Sequence, residues 1–465
     1  TLSLVTMPLV SPELCELVLA EALLTGGEFA EIYAEDRNNA SAVLDDHRVE
    51  ELSSGRSRGA GIRVVSAETT GFAHTADLSE AGLLAAARAA SAVASSSRGA
   101  SKGIALSGTV DLPEATPSVD RAKVVEMLQR VDEHARSQGS AITQSQVGVA
   151  DGYRRFIVAN SDGLLASDHQ TRTRFNVTCI ATGDTGMQTG YETIARTEGY
   201  EILSDEAVSA VAKEAARRAL VKLDARPAPS GELAVVLAGG SGGILFHEAC
   251  GHGLEADHIV KDTSVYAGKV GQRVASELVT LVDDGTVAGE WGHFAIDDEG
   301  MPAARNVLIE NGILTDYMWD GLRARRAGRR SSGNGRRQSY QHLPMVRMTN
   351  TYLLAGNATA EEIIADTDYG VYVAKLGGGQ VNTATGDFVF GTSEAYLIEH
   401  GRITAPLRDA NLIGNGPEIL QRIDAVANDF AMTPGTCGKD GQSVPVGCGQ
   451  ATLRLTGVTI GGTAS

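Results

Sequence analysis

The pattern of apolar and polar positions predicts runs of short strands between runs of helix, not a strict alternation of the two. Ser11-Pro12-Glu13 begins a helical pattern, and positions 29–35 then alternate between apolar and polar side chains, as in a strand. Further helical patterns lie at about 80–94, 118–135 and 204–223, and short strand-like segments lie at 41–44 and over 141–198. This order is typical of an α+β fold with mostly antiparallel sheets.

A change of composition marks a domain boundary near the middle of the chain. Residues 224–231, Asp-Ala-Arg-Pro-Ala-Pro-Ser-Gly, follow a helical pattern and precede an apolar strand at 233–237. Proline, serine and glycine at such a place are typical of a linker. We therefore predict an N-terminal α+β domain over residues 1–226 and a C-terminal domain over residues 231–465.

Composition and charge exclude several classes of protein. The chain has 465 residues, 43% of them hydrophobic, and it can therefore bury more than one core. Its formal net charge of −18 repels phosphate backbones, so we expect no nucleic-acid partner. We also expect no membrane segment and no secretory signal, because no apolar run is long enough and the first ten residues lack a basic region before an apolar one. Five cysteines do not suit a disulfide scaffold, and together these features favour a cytoplasmic protein.

The strongest candidate for chemistry is the segment His247-Glu248-Ala249-Cys250-Gly251-His252. It is close to His-Glu-x-x-His, in which two imidazoles bind zinc and the glutamate activates a bound water. Here the histidines are five positions apart, which places them about 140° apart on an ideal α-helix. Two ligands of one metal cannot point so far apart. We therefore predict that the helix ends or is distorted over 249–253, as in a π-type turn. The alternative is two unrelated histidines, one in the core and one in solvent.

A catalytic zinc needs a third protein ligand, and spacing alone leaves that ligand open. The candidates are Cys250, Glu255, Asp257, His258, Cys437 and Cys448. A lone cysteine is more often a small buried apolar residue, and we interpret Cys448 in this way.

Four stretches of the second half resemble the TldD/PmbA metallopeptidase family, in its TldD-like, metal-bearing branch. They are HEACGHGLEADH, GNGRRQSYQHLPMVRMTNTY, GDFVFGTSEAYLIEHGRIT and GTCGKDGQSVPVGCGQ, and SRGAGIRVVSAETTGFAHT in the first half resembles the family more weakly. The resemblance implies a zinc peptidase whose ligands are His247, His252 and Cys437, with Glu248 as general base. We expect the C-terminal domain to be barrel-like and to carry this metal site.

The resemblance also implies a substrate and a partner. The substrate would be an unfolded or flexible peptide that adds as a β-strand in a chamber at a dimer interface, for leader-peptide processing or peptide degradation. The partner would be a metal-free PmbA/TldE-like paralogue or a second copy of the chain. Candidate substrate-binding residues in the family-like stretches are Tyr340, His342, Arg347 and Asn350. Of these, Tyr340 or His342 could stabilise the oxyanion, with strand packing as the alternative.

Two other functions compete with this interpretation. The chain could be the non-catalytic partner subunit of a TldD/PmbA-type complex, which the presence of both histidines, Glu248 and Cys437 disfavours. It could also be a zinc amidohydrolase acting on small amides. Seven arginines crowd residues 323–337 of this acidic chain, and they indicate either a solvated or interface surface or the positive wall of a substrate channel.

Overall fold

The computed structural model describes residues 9–94, 103–113 and 119–462, and its first half is built on one sheet. The strands are β1 (Phe29–Asp45), β2 (Arg48–Ser66), β3 (Thr69–Thr75), β4 (Ile142–Asn160), β5 (Leu165–Gly183) and β6 (Gly186–Arg196). The helices are α1 (Pro12–Leu23), α2 (Glu80–Ala94), α3 (Arg121–Ser137) and α4 (Asp205–Val221). The six strands pair antiparallel in the order β3-β2-β1-β4-β5-β6.

The helices of the first half pack on this sheet through their apolar faces. Helix α1 begins at Pro12, where the hydroxyl of Ser11 accepts a hydrogen bond from the backbone N–H of Leu14 at 3.3 Å. Helices α1 and α2 share a core with β1 and β2, and α3 and α4 share a second core with β4 and β5. Position 118, the predicted start of the third helix, lies outside the described residues, and α3 itself begins at Arg121.

The strands are longer than the sequence pattern predicts. The separate pieces expected at 29–35 and 41–44 form one strand of 17 residues, and β4 and β5 have 19 residues each. The prediction of short strands was therefore wrong in this region. The reason is visible in β2, where residues 48–58 are exposed and carry no apolar alternation, although their pairing with β1 continues.

The second half contains more and shorter elements. The strands are β7 (Arg226–Pro227), β8 (Gly231–Leu237), β9 (Leu281–Asp284), β10 (Arg305–Glu310), β11 (Ile313–Leu314), β12 (Gly335–Arg336), β13 (Met345–Val346), β14 (Asn350–Leu353), β15 (Tyr369–Val381), β16 (Asp387–Glu399), β17 (Arg402–Arg408), β18 (Asn411–Asn415), β19 (Ile423–Val426), β20 (Ala431–Lys439), β21 (Gln442–Gln450) and β22 (Leu453–Gly461). The helices are α5 (Gly243–Phe246), α6 (Ala256–Ile259), α7 (Gly321–Arg326), α8 (Ala360–Ala365) and α9 (Gly416–Gln421).

Five of these strands close into a barrel. Strands β8, β22, β18, β16 and β15 pair in that order, and β15 pairs again with β8. Only the β8–β15 pair of this ring is parallel. The predicted α+β fold, with mostly antiparallel sheets and a barrel-like C-terminal half, is thus confirmed. Within the predicted linker at 224–231, β7 pairs with β17, and the exact domain boundary stays a prediction.

A second, open sheet carries the C-terminal hairpin. Its strand order is β11-β10-β9-β14-β21-β20, with β14 and β21 parallel. Strands β20 and β21 form an antiparallel hairpin, and β20 is the last strand of the sheet within the described ranges. The described helices include none with the length and apolar character needed to cross a membrane.

Buried ion pairs join the two halves. Arg63 of β2 lies 2.8 Å from carboxylate oxygens of both Glu31 and Glu299, and Arg337 also pairs with Glu31. All four side chains are almost fully buried. An unpaired charge in such a place is strongly destabilising, so these contacts stabilise one arrangement of the two halves.

Candidate metal centre

The two histidines lie on a distorted helix that follows β8. Helix α5 continues into a π-helical turn over His247–Gly251, and a 3-10 turn follows over His252–Leu254. The backbone N–H of His252 donates to the carbonyl of His247, five residues earlier. The predicted distortion is confirmed, and it brings the two imidazoles to one side, with ring centroids 5.1 Å apart.

A glycine in this helix allows close packing of the helix against the C-terminal hairpin. A Cβ added at Gly243 of α5 would lie 2.3 Å from the backbone nitrogen of Gly449 and 2.6 Å from the carbonyl carbon of Cys448. Because both atoms belong to the backbone of β21, only glycine allows this approach. The approach brings the hairpin within reach of the histidines.

His247, His252 and Cys437 meet between the helix and the hairpin. One ligand atom from each lies within 4.8 Å of the others, and all three side chains are buried. The distance from His252 Nε2 to Cys437 Sγ is 3.4 Å. Nitrogen and sulfur ligands of a tetrahedral zinc lie about 3.5 Å apart, given their usual bond lengths. The geometry therefore fits a metal in this place.

The hydrogen bonding of His247 supports the same interpretation. Both of its ring nitrogens are buried, and the part of the chain that the structure describes offers neither of them a hydrogen-bond partner of good geometry. Buried polar atoms are rarely left in this state. A metal bound by His247, His252 and Cys437 would satisfy one of these nitrogens, and two imidazoles with one thiolate are ligands that suit zinc.

The clustered groups shift one another's pKa values. Burial acts to raise the pKa of Cys437, but His247 and His252 lower it to about 4. Burial acts to lower the pKa of His252, but Glu255 and Cys437 raise it to about 10. The pKa of His247 is raised well above its ordinary value by Cys448 and Cys437, again against the effect of burial. The sulfur of Cys437 is thus a thiolate at neutral pH, the form that binds metals.

Glu248 lies at the solvent side of this cluster. Its Oε2 is 3.9 Å from Nε2 of His252, and its side chain is 27% exposed. Water can therefore reach the carboxylate, and the carboxylate lies beside the atoms that would bind a metal. Both properties are required of a general base that acts on a water molecule at this place.

Glu255 contacts the ring nitrogen of His252 that faces away from Cys437, and Lys439 contacts Glu255. Oε2 of Glu255 lies 2.9 Å from Nδ1 of His252 and accepts a hydrogen bond from Lys439 Nζ at 2.8 Å. A carboxylate on the far nitrogen of a ligating histidine fixes its tautomer and orientation, here with Nε2 toward Cys437. Glu255, Asp257 and His258 also bring ligand atoms together. The ammonium of Lys439 already bonds the carboxylates of Glu255 and Asp257, so these two oxygens have a cationic partner within the protein.

We expect Glu255→Gln to lower zinc affinity by about 10- to 100-fold, because outer-shell partners of metal ligands have effects of this size. The measurement is zinc binding in competition with a chromogenic chelator. Asp257→Asn is the matched control, since Asp257 contacts Lys439 but not His252. Equal losses in both variants would contradict a specific role for the Glu255–His252 contact.

Sequence reasoning missed Lys439 and the orienting contact of Glu255. Lys439 follows Cys437 by two positions on β20, and residues at i and i+2 of a strand share a face. That spacing was the available signal.

Comparison with known proteins identifies the family. Family models match the chain at residues 30–94 (PmbA/TldA metallopeptidase domain 1), 114–223 (PmbA/TldA metallopeptidase central domain) and 230–462 (PmbA/TldA metallopeptidase C-terminal domain). The chain belongs to the PmbA/TldD metallopeptidase family. The resemblance stated from the sequence motifs is thereby confirmed.

Individual relatives agree with this assignment. The "Metalloprotease TldD homolog" of Haemophilus influenzae is 40% identical over 452 residues, covering 94% of this chain and 93% of the relative. The "Zinc metalloprotease TldD homolog" of Saccharolobus solfataricus is 32% identical over 247 residues, which cover 53% of this chain and 55% of the relative. The crystal structure of TldE from Thermococcus kodakarensis has the same fold, with a TM-score of 0.77 at 21% identity over 96% of this chain and 99% of that one.

Two other cysteines lie near the cluster but are not part of its group of three ligand residues. The thiol of Cys250 donates to the backbone oxygen of Phe246 at 2.8 Å, and burial raises its pKa to about 12. Cys448 packs beside Cys437 in a small apolar group on the hairpin. Cys250 is therefore a protonated, buried thiol in this structure.

The four predicted substrate-binding residues have different surroundings, and each has its own contacts. Tyr340 is buried against Tyr33 of β1, and its backbone N–H donates to Glu35 at 3.0 Å. His342 forms a hydrogen bond with Ser339 Oγ at 2.8 Å, and burial lowers its pKa. The contacts of Tyr340 place it next to the first half of the chain, whereas the hydrogen bond of His342 is local.

Arg347 and Asn350 are fully buried. The guanidinium of Arg347 donates to the backbone oxygen of Cys437, and the Asn350 amide bonds backbone groups of Asp284 and Gly292. In the structure Arg347 therefore positions the strand that carries Cys437. Substrate contact by any of the four residues stays a prediction.

Proposed function

We propose that the chain is a zinc metallopeptidase that hydrolyses peptide bonds in unfolded or flexible peptides. The observation that carries the proposal is the buried meeting of His247, His252 and Cys437, where neither ring nitrogen of His247 has a hydrogen-bond partner of good geometry among the described residues. Glu248 beside this cluster supplies a carboxylate that solvent can reach. The metalloprotease relatives and the one named a zinc metalloprotease support both the reaction and the metal.

In the mechanism, zinc would supply a Lewis acid that polarises the scissile carbonyl and lowers the pKa of water beside it. Glu248 would take the proton from the attacking water and pass it to the leaving amine. Glu255 would keep Nε2 of His252 directed at the ligand position. A thiolate ligand reduces the positive charge of the site, so we expect a strong dependence of the rate on Glu248.

We further propose that an extended peptide pairs with strand β20, which ends its sheet in the described structure. A folded domain has no free extended segment to pair in this way, which explains a preference for unstructured substrates. A PmbA/TldE-like paralogue or a second copy of the chain would complete the chamber, and the shared fold with TldE supports such a partner. Leader-peptide processing or peptide degradation in the cytoplasm would fit this activity.

A substrate panel tests the proposal. The zinc-loaded chain, alone and co-expressed with a PmbA/TldE-like paralogue, is incubated with unstructured peptides, with the same sequences inside a folded domain, and with small amides. We expect cleavage of the unstructured peptides only, measured by mass spectrometry. Hydrolysis of small amides alone would indicate an amidohydrolase, and stoichiometric zinc without any cleavage would indicate a non-catalytic subunit.

A further inference from the structure

A cavity of about 430 Å³ lies between the sheet of the first half and the C-terminal hairpin. Its walls come from β1, β2, β4 and β5, from residues 336–338, and from β20 and β21. Six arginines line it against two aspartates, although the chain as a whole carries a net charge of −18. The six are Arg37, Arg154, Arg172, Arg174, Arg336 and Arg337. The cavity is therefore a concentrated positive region in an acidic protein.

Three of these arginines have no carboxylate within ion-pair distance among the residues that the structure describes. Arg172 donates to two backbone oxygens and to the side-chain amide oxygen of Gln170. Arg174 donates to the hydroxyl of Tyr191 at 2.8 Å. Arg336 donates to two backbone oxygens, at 2.6 and 2.7 Å. These neutral acceptors orient the guanidinium groups without pairing their charges, and Asp298 acts on Arg172 and Arg336 only from beyond ion-pair distance.

Two more of the arginines have unused hydrogen-bond donors. Nε of Arg154 and both Nε and Nη1 of Arg337 are buried, with no acceptor in the described ranges. Arg337 is only 1% exposed. Burial and neighbouring positive charges lower the pKa of Arg172 and Arg336, to about 10 for Arg336. The buried donors themselves present almost no surface to the cavity, but the crowded positive charges favour an anion bound there.

Neighbouring residues of strand β20 belong to the cavity wall and to the metal cluster. Thr436 lines the cavity, and Cys437, the next residue of β20, belongs to the metal cluster. Successive side chains of any strand point to opposite faces, and this holds equally for a peptide that pairs with β20. A side chain next to the cleaved bond would therefore point toward the cavity.

We propose that this arginine-lined cavity binds a carboxylate of the peptide substrate, either on an Asp or Glu side chain or at the peptide C-terminus. The inference rests on the proposed peptidase function. Guanidinium groups form charge-assisted, often bidentate hydrogen bonds with carboxylates. The apolar parts of the wall, including Trp291, Val444 and Pro445, would contact the methylene groups of the same residue. The cavity thus gives the peptidase a preference for acidic substrates.

Matched peptides test this preference. One unstructured peptide is synthesised in versions that carry either Glu or Gln at each successive position around the cleaved bond. Each version is made both with a free C-terminal carboxylate and with a C-terminal amide. We expect kcat/KM to be about tenfold or more higher for Glu at one position, or for the free acid, because charged hydrogen bonds have effects of this size. Arg174→Gln and Arg172→Gln should bring that ratio close to one. Arg130→Gln, a change at an exposed arginine that pairs with Asp205, should preserve the ratio.

A binding measurement separates this inference from the peptidase proposal. The same peptides are titrated into the Glu248→Gln variant, which binds without turnover, and into its double variants with Arg172→Gln and Arg174→Gln. An acidic preference in binding that disappears with the arginines would support the cavity even if no peptide were cleaved by the wild type. Equal binding and equal cleavage of acidic and neutral peptides would overturn the inference. So would an acidic preference that survives both arginine changes.

Discussion

Glu248→Gln should retain its zinc and lose about 10²- to 10⁴-fold in kcat/KM toward an unstructured peptide, the usual contribution of a general base. Glutamine has nearly the same volume, but it cannot accept the proton of the attacking water. Glu248 lies at the surface of the site with a side chain 27% exposed, so the change should leave the folded structure intact. The measurement combines peptide cleavage rates with zinc content per chain.

The control for this variant is Glu277→Gln, which changes an exposed glutamate outside the site and should leave both quantities at the wild-type level. Loss of zinc from Glu248→Gln would mean that Glu248 is a ligand. Retention of both zinc and full activity would remove it from the catalytic mechanism.

Cys437→Ser should lower zinc affinity by more than about 100-fold, because changes in outer-shell partners alone cost about 10- to 100-fold. The thiolate of Cys437 lies 3.4 Å from His252 Nε2, and His247 and His252 lower its pKa to about 4. A serine hydroxyl of similar size stays protonated at neutral pH and is a much weaker zinc ligand. The measurement is zinc retained during titration with chelators of increasing affinity.

Cys250→Ser is the matched control, since the Cys250 thiol bonds the carbonyl of Phe246 and lies outside the cluster. It should keep zinc at the wild-type affinity. If Cys250→Ser lost zinc and Cys437→Ser kept it, the proposed ligand set would be wrong.

The local geometry of the site was largely predictable from the sequence, but its assembly was not. The five-residue spacing of His247 and His252 required a distorted helix, and a π-turn is present. Cys437 lies 185 residues from His252, and spacing alone could not choose it from six candidates. Only the resemblance to the family indicated Cys437. Contacts between residues so far apart in the chain depend on how the hairpin packs on the helix.

The arginine-rich stretch shows the same limit of local reasoning. In the sequence, the seven arginines over 323–337 indicated either a solvated or interface surface or the positive wall of a substrate channel. In the structure, Arg325 and Arg326 pair with Asp162 and Glu68 of the first half, whereas Arg336 is buried beside the cavity. Asp162 and Glu68 lie in turns far earlier in the chain, so no local pattern could separate the two groups.

The buried ion pairs between the halves have a consequence for how the chain can be divided. Arg63 and Glu31 belong to the first half, and Glu299 and Arg337 to the second. A fragment that starts after the linker would retain Glu299 and Arg337 but lose their oppositely charged partners, together with one wall of the cavity. We therefore expect the C-terminal half on its own to be destabilised, because buried charges without their partners are costly.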